Sequence, residues 1–223
     1  MPTFSLSGIK LSLPKLLLTE SIRRMLEKGW YEVEERKALE AHLRSGDRVL
    51  ELGGGAGFLA AFSAQFVGAS QVTTVEANPK MLAVLQKNLA DNDCSLVNVR
   101  HGVVLGKTTE KETSFHVPEA FWAASQDTSA MDSSWLSVSV PTLSFDALLG
   151  EEQPTVLVVD VEGSEASYFF LDLPECLRLI VIELHPQKYS PHAIRALFNR
   201  LDRQSFIFQP LGSHGTVVCF ERL

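Results

Sequence analysis

Cysteine is scarce in this chain of 223 residues, which contains only three. The spacing of Cys94, Cys176 and Cys219 fits neither a disulfide framework nor a paired metal motif. A disulfide-stabilised secreted domain is therefore excluded, and scattered cysteines are typical of a reducing compartment. We expect all three to serve as small apolar residues.

Basic residues are fewer than acidic ones. Lys and Arg number 20 against 27 Asp and Glu, which gives a net charge of −7. A chain without a broad cationic surface is poorly suited to neutralise the phosphates of nucleic acid or anionic lipid head groups. We expect neither nucleic acid nor a membrane as a partner.

Long uninterrupted apolar runs are missing as well. Residues 16–18 are apolar, but lysines and a proline just before them break a signal core, and no cleavage site follows. Residues 52–69 carry no charge, but they open with a glycine cluster and contain polar side chains, which favours a buried strand, turn and helix over a membrane span. We expect a cytoplasmic protein.

What the chain does have is a regular alternation of apolar strands with helix-like segments. Apolar residues make up 45% of the chain, enough for one sizeable core, so we expect a single domain over residues 1–223. Continuous Val, Ile and Leu runs are typical of parallel strands covered on both faces. The pattern predicts an α/β fold with a doubly wound, mostly parallel, Rossmann-like sheet that ends in an antiparallel hairpin. Strands are predicted at residues 49–52, 71–75, 95–102, 155–160, 177–184, 205–209 and 216–221.

Two regions depart from this alternation. Residues 1–45 are predicted to form a helical flank. Residues 104–153 are predicted to be an insertion, in which the aromatic residues Phe121, Trp122 and Trp135 flank a polar stretch. That stretch is a candidate lid over the site, although aromatic side chains that anchor a long loop are the more ordinary role.

A glycine-rich turn follows the first strand of the alternation. Its pattern, ExGxGxG, consists of four residues at intervals of two: Glu51, Gly53, Gly55 and Gly57. Glycines let a ligand lie against the backbone, and the next helix offers free N–H groups. The same turn fits the dinucleotide pattern GxGxxA through Ala60, and Glu76 ends the second strand where a carboxylate can accept hydrogen bonds from ribose hydroxyls.

Charge distinguishes the two nucleotides that this turn could hold. Glu51 brings a carboxylate near the cationic end of S-adenosylmethionine, whereas a carboxylate there would oppose a pyrophosphate. We therefore predict S-adenosylmethionine as the cofactor. Three alternatives stay open: an NAD(P)-linked oxidoreductase, a tight turn without a ligand, and Glu51 as a cap for backbone N–H groups.

Five motifs resemble, in order, those of FkbM-type S-adenosylmethionine-dependent methyltransferases. They are VLELGGGAGF (49–58), VTTVEANP (72–79), VPTLSFDALL (140–149), LVVDVEGSE (157–165) and LIVIELHP (179–186). The DVEGxE segment is the most specific of them. The resemblance implies a seven-stranded methyltransferase sheet, methyl transfer from S-adenosylmethionine, and cofactor contacts at Gly53, Gly55, Gly57 and Glu76.

The resemblance also extends to the segment before the first strand. YEVEER (31–36) is similar to the family's entry segment, which implies that Tyr31 and Glu32 border the methionine end of the cofactor. At Gly54 and Gly55 the family more often carries Ala and Asn, so this chain lacks one polar side chain of the family's turn. Backbone groups after the third strand are further candidates for contacts to adenine. The full set of predicted cofactor contacts is Glu51, Gly53, Gly55, Gly57, Glu76, Asn78, Gly102, Val103 and Asp160.

Titratable side chains are predicted to converge where the fourth and fifth strands end. Asp160 and Glu162 alternate after one strand, and Glu183 and His185 repeat that spacing after the other. Methyl transfer requires an acceptor to be positioned and deprotonated. We predict His185 as the base, Glu162 as the residue that orients the acceptor, and Asp160 beside them.

Other roles for these residues remain open. The carboxylates after the fourth strand could cap the following helix, and His185 could be an ordinary loop residue before Pro186. The cluster could also bind Mg²⁺ or Mn²⁺. We expect no metal, because carboxylates at strand ends more often serve as caps or bases.

These features predict an enzyme that O-methylates a hydroxyl group of a small molecule or glycan. A methyltransferase-like binding module without catalytic activity is the alternative from another class. Binding of S-adenosylhomocysteine rather than a nicotinamide nucleotide distinguishes the predicted enzyme from an oxidoreductase.

Overall fold

The computed structural model describes residues 1–117, 136–161, 163–169 and 171–223. Its elements in chain order are β1 (Thr3–Leu6), β2 (Ile9–Ser12), α1 (Glu20–Lys28), α2 (Val33–His42), β3 (Val49–Leu52), α3 (Phe58–Val67), β4 (Val72–Glu76), α4 (Pro79–Asp91), β5 (Asn98–His101), β6 (Val103–Leu105), β7 (Glu112–Val117), β8 (Leu136–Ser144), α5 (Phe145–Glu152), β9 (Val156–Val159), α6 (Glu165–Tyr168), β10 (Leu179–Glu183), α7 (Pro191–Arg203), β11 (Phe206–His214) and β12 (Val217–Arg222).

The main sheet has seven strands in the order β11-β12-β10-β9-β3-β4-β5. The five strands from β10 to β5 run parallel, and β12 is antiparallel to both of its neighbours. The predicted doubly wound sheet with an antiparallel C-terminal hairpin is therefore confirmed. The order reverses between β3 and β9, which is where α/β sheets of this kind bind ligands.

Helices cover both faces of this sheet because alternate strand residues point to opposite sides. Val49 and Val158 pack in one core with residues of α2, α3 and α4, whereas Leu50 and Leu157 pack in a second core with α5 and α7. All four residues of β3 are buried, Glu51 included, as expected for a strand covered on both faces.

The flank over residues 1–45 was predicted to be helical, and this is wrong for its first part. α1 and α2 are present, but β1 and β2 form a hairpin whose register pairs Leu6 with Ile9. Ile9 and Leu11 are fully buried in the core. The reason is a period of two in the apolar residues here, which suits a strand with one buried face.

A buried asparagine joins this hairpin to the glycine-rich turn. Asn88 of α4 accepts a hydrogen bond from the Ser12 amide and donates one to the Ala56 carbonyl, each at 2.8 Å. Because the side chain is fully buried, both bonds form away from water, where leaving either group unpaired would be costly. The hairpin and the glycine-rich turn are therefore hydrogen-bonded to the same Asn88 side chain.

The insertion contains fewer residues than the predicted range of 104–153. β6, β7 and β8 form a small sheet of their own in the order β6-β8-β7. α5, however, packs Phe145, Leu148 and Leu149 into the second core of the main body, so it is the helix that leads into β9. Phe121, Trp122 and Trp135, and with them the predicted lid, lie outside the described residues.

The length and apolar character of the helices indicate whether any of them could cross a membrane. Within the part of the chain that the structure describes, no helix combines the length and the apolar character needed to cross a bilayer.

Candidate functional site

A cavity of about 430 Å³ opens where β3, β4, β9 and β10 end. Its volume lies within the range of roughly 300 to 1,000 Å³ found for small-molecule sites. The cavity has two ends that differ in character, one at β4 and β5 and the other at β9 and β10.

The glycine turn after β3 forms one wall. A side chain at Gly53 would place its Cβ 1.8 Å from the Asp160 carbonyl oxygen, so the close approach of two backbone segments requires glycine there. Gly55 has a left-handed φ of +49°, and a Cβ would come within 3.2 Å of the Tyr31 hydroxyl. Both glycines line the cavity, as the sequence predicted.

Glu76 lies beside this turn and also lines the cavity. Its two carboxylate oxygens accept hydrogen bonds from the amides of Gly55, at 2.7 Å, and Asn78, at 2.6 Å. Burial raises the pKa of Glu76 to about 7, although these amide bonds oppose the increase. The carboxylate is therefore fixed in direction at the cavity surface.

Three of the predicted cofactor contacts lie behind the cavity wall instead. Glu51 is 2% exposed, and burial raises its pKa to about 7, with a further contribution from the charge of Glu76. Gly57 precedes α3 and packs against Leu85, and the Asn78 side chain caps α4 by accepting from the Lys80 amide. None of the three is among the described residues that line the cavity. The structure therefore gives no geometric support for direct contact between the cofactor and Glu51, Gly57 or Asn78.

Gly102 and Val103 do line the cavity at the end of β5 and the start of β6. The Gly102 amide donates to the Glu76 carbonyl at 3.1 Å. Phe115 of β7 joins them in a small apolar cluster with Val140, and it lines the cavity as well. The sequence analysis did not identify Phe115 as a site residue, because no sequence pattern indicates that β7 packs beside Gly102 and Val103 at the cavity.

Tyr31 and Glu32 also line the cavity, next to Gly55. Glu32 has a left-handed φ of +47° although it is not a glycine, and it immediately precedes α2. Burial raises the pKa values of both side chains well above their ordinary range. The charge of Glu32 adds to the increase in the pKa of Tyr31, whereas the hydrogen bond with Tyr31 opposes the increase in the pKa of Glu32. Both residues line the cavity, and their position at the methionine end of the cofactor stays a prediction.

Three groups converge at the end of the cavity near β9 and β10. One ligand-type atom from each of Asp160, Glu183 and His185 lies within 4.8 Å of the others. Nε2 of His185 is 3.8 Å from Oδ1 of Asp160. The predicted convergence is therefore present for these residues, and Glu162 lies outside the described residues, so its role stays a prediction.

Glu165 was not predicted as a site residue, yet it contacts the imidazole. Its Oε1 lies 2.8 Å from Nδ1 of His185 and accepts a hydrogen bond from the Gly163 amide at 3.0 Å. The side chain is fully buried. The motif DVEGSE contained the signal, since Glu165 is its last residue, but the sequence analysis considered only Asp160 and Glu162 of its acidic residues as site residues.

The cavity is strongly acidic. Six carboxylate side chains line it, and no Lys or Arg does so among the described residues: the acids are Glu32, Glu34, Glu35, Glu76, Asp160 and Glu183. His214, to which the sequence gave no role, lines the rim with its Nδ1 3.4 Å from Glu34 Oε2. Such a lining attracts cations and repels a pyrophosphate.

The sequence matches the family model described as the methyltransferase FkbM domain over residues 51–205. A curated relative, the protein-L-isoaspartate O-methyltransferase of Brucella anthropi, is 40% identical over 62 residues, which span only 28% of each protein. Among solved structures, precorrin-6y C5,15-methyltransferase from Geobacter metallireducens has a TM-score of 0.51 at 11% identity, covering 96% of this chain and 94% of that one. The O-methyltransferase from Bacillus cereus, solved in complex with SAH, has a TM-score of 0.46 at 12% identity, covering 94% and 84%. The first of these structures supports the fold.

Proposed function

This chain belongs to the methyltransferase FkbM domain family, whose members use S-adenosylmethionine, and from that premise we propose that it O-methylates a hydroxyl group of a small molecule or glycan. The family establishes the methyltransferase class and the methyl donor. The hydroxyl acceptor and the roles of individual residues are the proposal.

One observation carries the cofactor half of the proposal: the Glu76 carboxylate is fixed by two backbone amides at the edge of a glycine turn that opens to the cavity. A carboxylate held in this way can accept hydrogen bonds from the two ribose hydroxyls. The apolar side formed by Val103 and Phe115 suits a flat base. The residues present therefore fit S-adenosylmethionine.

Charge supports the same assignment over a dinucleotide. A pyrophosphate would have to lie among carboxylates without a Lys or Arg in the described lining, whereas a sulfonium is attracted there. Gly57 and Ala60 complete the dinucleotide pattern in the sequence, but both belong to the buried core side of α3. The oxidoreductase alternative is therefore not retained.

The acceptor would be methylated at the end of the cavity lined by Asp160, Glu183 and His185. Bound S-adenosylmethionine would supply the methyl group as an electrophile, leaving as S-adenosylhomocysteine, and the acceptor hydroxyl would give up its proton. The chain's part is to hold the oxygen in line and to promote loss of that proton. The prediction that His185 is the base is consistent with its position, because Glu165 fixes the ring through Nδ1.

The kind of acceptor follows from the lining. A neutral hydroxyl compound can enter an acidic cavity that would repel phosphates, so nucleic acid remains a poor candidate. A sugar or another polyhydroxyl compound can use the carboxylates as hydrogen-bond acceptors.

Calorimetry and product analysis together test this proposal. We expect the purified chain to bind S-adenosylhomocysteine and not NADH, and to transfer a deuterated methyl group from S-adenosylmethionine to a hydroxyl in a panel of metabolites and glycans, as read by mass spectrometry. Glu76→Ala should lose cofactor affinity, and Glu175→Gln, an exposed change outside the cavity, should not. A methyl group found only on nitrogen contradicts the hydroxyl acceptor, and cofactor binding without any methylated product favours a binding module.

A further inference from the structure

The groups of Asp160, Glu183 and His185 are arranged around a common point. Around a metal ion with bonds of about 2.1 Å, neighbouring ligand atoms lie about 3 Å apart and opposite ones about 4.2 Å. The 3.8 Å between Asp160 Oδ1 and His185 Nε2 falls in this range, and the complete set lies within 4.8 Å, so small side-chain rotations would suffice. We propose that Asp160, Glu183 and His185 bind a divalent cation of the Mn²⁺ and Mg²⁺ class.

A third acidic side chain supports the same ligand. Glu35 of α2 lines the cavity although it is only 6% exposed, and among the described residues its carboxylate hydrogen-bonds nothing beyond its own backbone amide. Burial, followed by the charge of Glu183, raises its pKa to about 7. The charge of His185 opposes only part of this increase, and a cation bound beside Glu183 would further stabilise the buried carboxylate of Glu35.

The second ring nitrogen of His185 supports a metal-binding role. Histidines that bind a metal through one nitrogen commonly donate the other N–H to a carboxylate, which fixes the tautomer and the ring direction. Glu165 Oε1 stands at 2.8 Å from Nδ1 in that role, and the Gly163 amide and full burial fix Glu165 in turn. Nε2 is then the nitrogen on the side of Asp160.

The donor set indicates which ions fit. Two carboxylates are hard oxygen ligands that suit Mg²⁺ and Mn²⁺, and the imidazole favours Mn²⁺ of the two. Carboxylate oxygens with open positions for water or a ligand are typical of such sites. No cysteine lies in the described lining, so a thiolate site for a softer metal is not formed there.

The cation would have a defined use in methyl transfer, and this use rests on the proposed function, whereas the binding of the ion does not. An acceptor oxygen bound to the ion would be held near the cofactor, and the ion would lower the pKa of the hydroxyl so that its proton passes to water. His185 would then be a metal ligand rather than the base. The sequence-based expectations of a metal-free site and of a His185 base would both be replaced.

Binding of Mn²⁺ to the full chain, freed of metal with a chelator, tests the proposal by electron paramagnetic resonance. We expect one tightly bound Mn²⁺ per chain, displaced by Mg²⁺. Glu183→Gln should weaken binding by at least about tenfold, as should Asp160→Asn, while the exposed control Glu175→Gln should bind like the wild type. A thermal shift with S-adenosylhomocysteine, measured on each variant, shows that it is folded.

Each result decides a separate question. No bound Mn²⁺, or equal affinity in wild type and Glu183→Gln, overturns the metal site. Turnover that is unaffected by chelation but lost in His185→Ala overturns the use of the ion in methyl transfer and restores His185 as the base. Mn²⁺ binding without any binding of S-adenosylhomocysteine supports the metal site and contradicts the proposed function instead.

Discussion

Oε1 of Glu165 lies 2.8 Å from Nδ1 of His185, and both side chains are buried at the end of the cavity. Glu165 begins the short helix α6, while His185 follows β10, so the contact joins two elements that are separate in the chain. The pair holds the imidazole in one orientation, whether the ring serves as a metal ligand or as a base. Glu165 is thus a positioning residue.

Replacing Glu165 by Gln should reduce turnover without preventing cofactor binding. The amide still offers an oxygen to the Gly163 N–H, but a neutral acceptor holds the imidazole more weakly than a carboxylate does. We expect turnover to fall by about 10- to 100-fold, as for other outer partners of functional histidines. Calorimetry with S-adenosylhomocysteine should give an affinity close to that of the wild type, and a parallel loss of affinity would contradict a positioning role. Glu165→Asp, which keeps the charge, should recover part of the activity.

Gly53→Ala should be strongly destabilising. The new Cβ would lie 1.8 Å from the carbonyl oxygen of Asp160, and φ at this position is +98°, so backbone would have to move in two strands. We expect a loss on the order of 3 kcal/mol in the free energy of unfolding, measured by denaturant titration. Gly150→Ala is the matched control, since it lies in α5 with no atom within 4 Å of the added Cβ. It should stabilise the protein by roughly 0.5 to 1 kcal/mol, because alanine is the better helix former.

The main sheet could be predicted from the sequence because its strands have a local signal. β9 is a continuous apolar run, β3 and β10 are apolar apart from Glu51 and Glu183, and the parallel arrangement follows from the helices between the strands. The hairpin of β1 and β2 was missed, although its period of two is typical of a strand, because each strand has only four residues. Its place is fixed by the distant Asn88, whose contact with Ser12 has no local sequence signal.

The site could be predicted only where it consists of strand ends. Gly53, Gly55, Glu76, Asp160 and His185 follow parallel strands, and such strand ends share one edge of the sheet. Three important residues come from other elements through tertiary packing: Glu35 of α2 and Phe115 of β7 line the cavity, and Glu165 of α6 contacts His185. Alternation along a strand also does not distinguish a side chain that lines the cavity from one buried behind it, as Glu51 is.

Glu76→Ala should weaken cofactor binding. The substitution removes the acceptor for the Gly55 and Asn78 amides and also the group proposed to bind the ribose. We expect the dissociation constant for S-adenosylhomocysteine, measured by calorimetry, to rise by about 10- to 100-fold, equivalent to roughly 1.4 to 2.7 kcal/mol. Glu112→Ala, an exposed glutamate of β7 outside the cavity lining, is the control and should leave it unchanged. An unchanged constant in Glu76→Ala would remove Glu76 from the cofactor site.

The buried carboxylate of Glu51 should make the cofactor-free protein less stable as the pH rises. Burial raises its folded-state pKa from 4.5 to about 7, so between these values the folded chain holds a proton that the unfolded chain has lost. The free energy of unfolding therefore falls with increasing pH across this window and levels off above it. In Glu51→Gln, which has nothing to ionise at this position, the fall from about pH 5 to about pH 8 should be smaller by up to about 3 kcal/mol. Glu35 and Glu76 have pKa values raised in the same direction, so part of the slope should persist. Denaturant titrations at a series of pH values measure the difference. Identical slopes for Glu51→Gln and the wild type would show that Glu51 keeps its ordinary pKa in the folded chain.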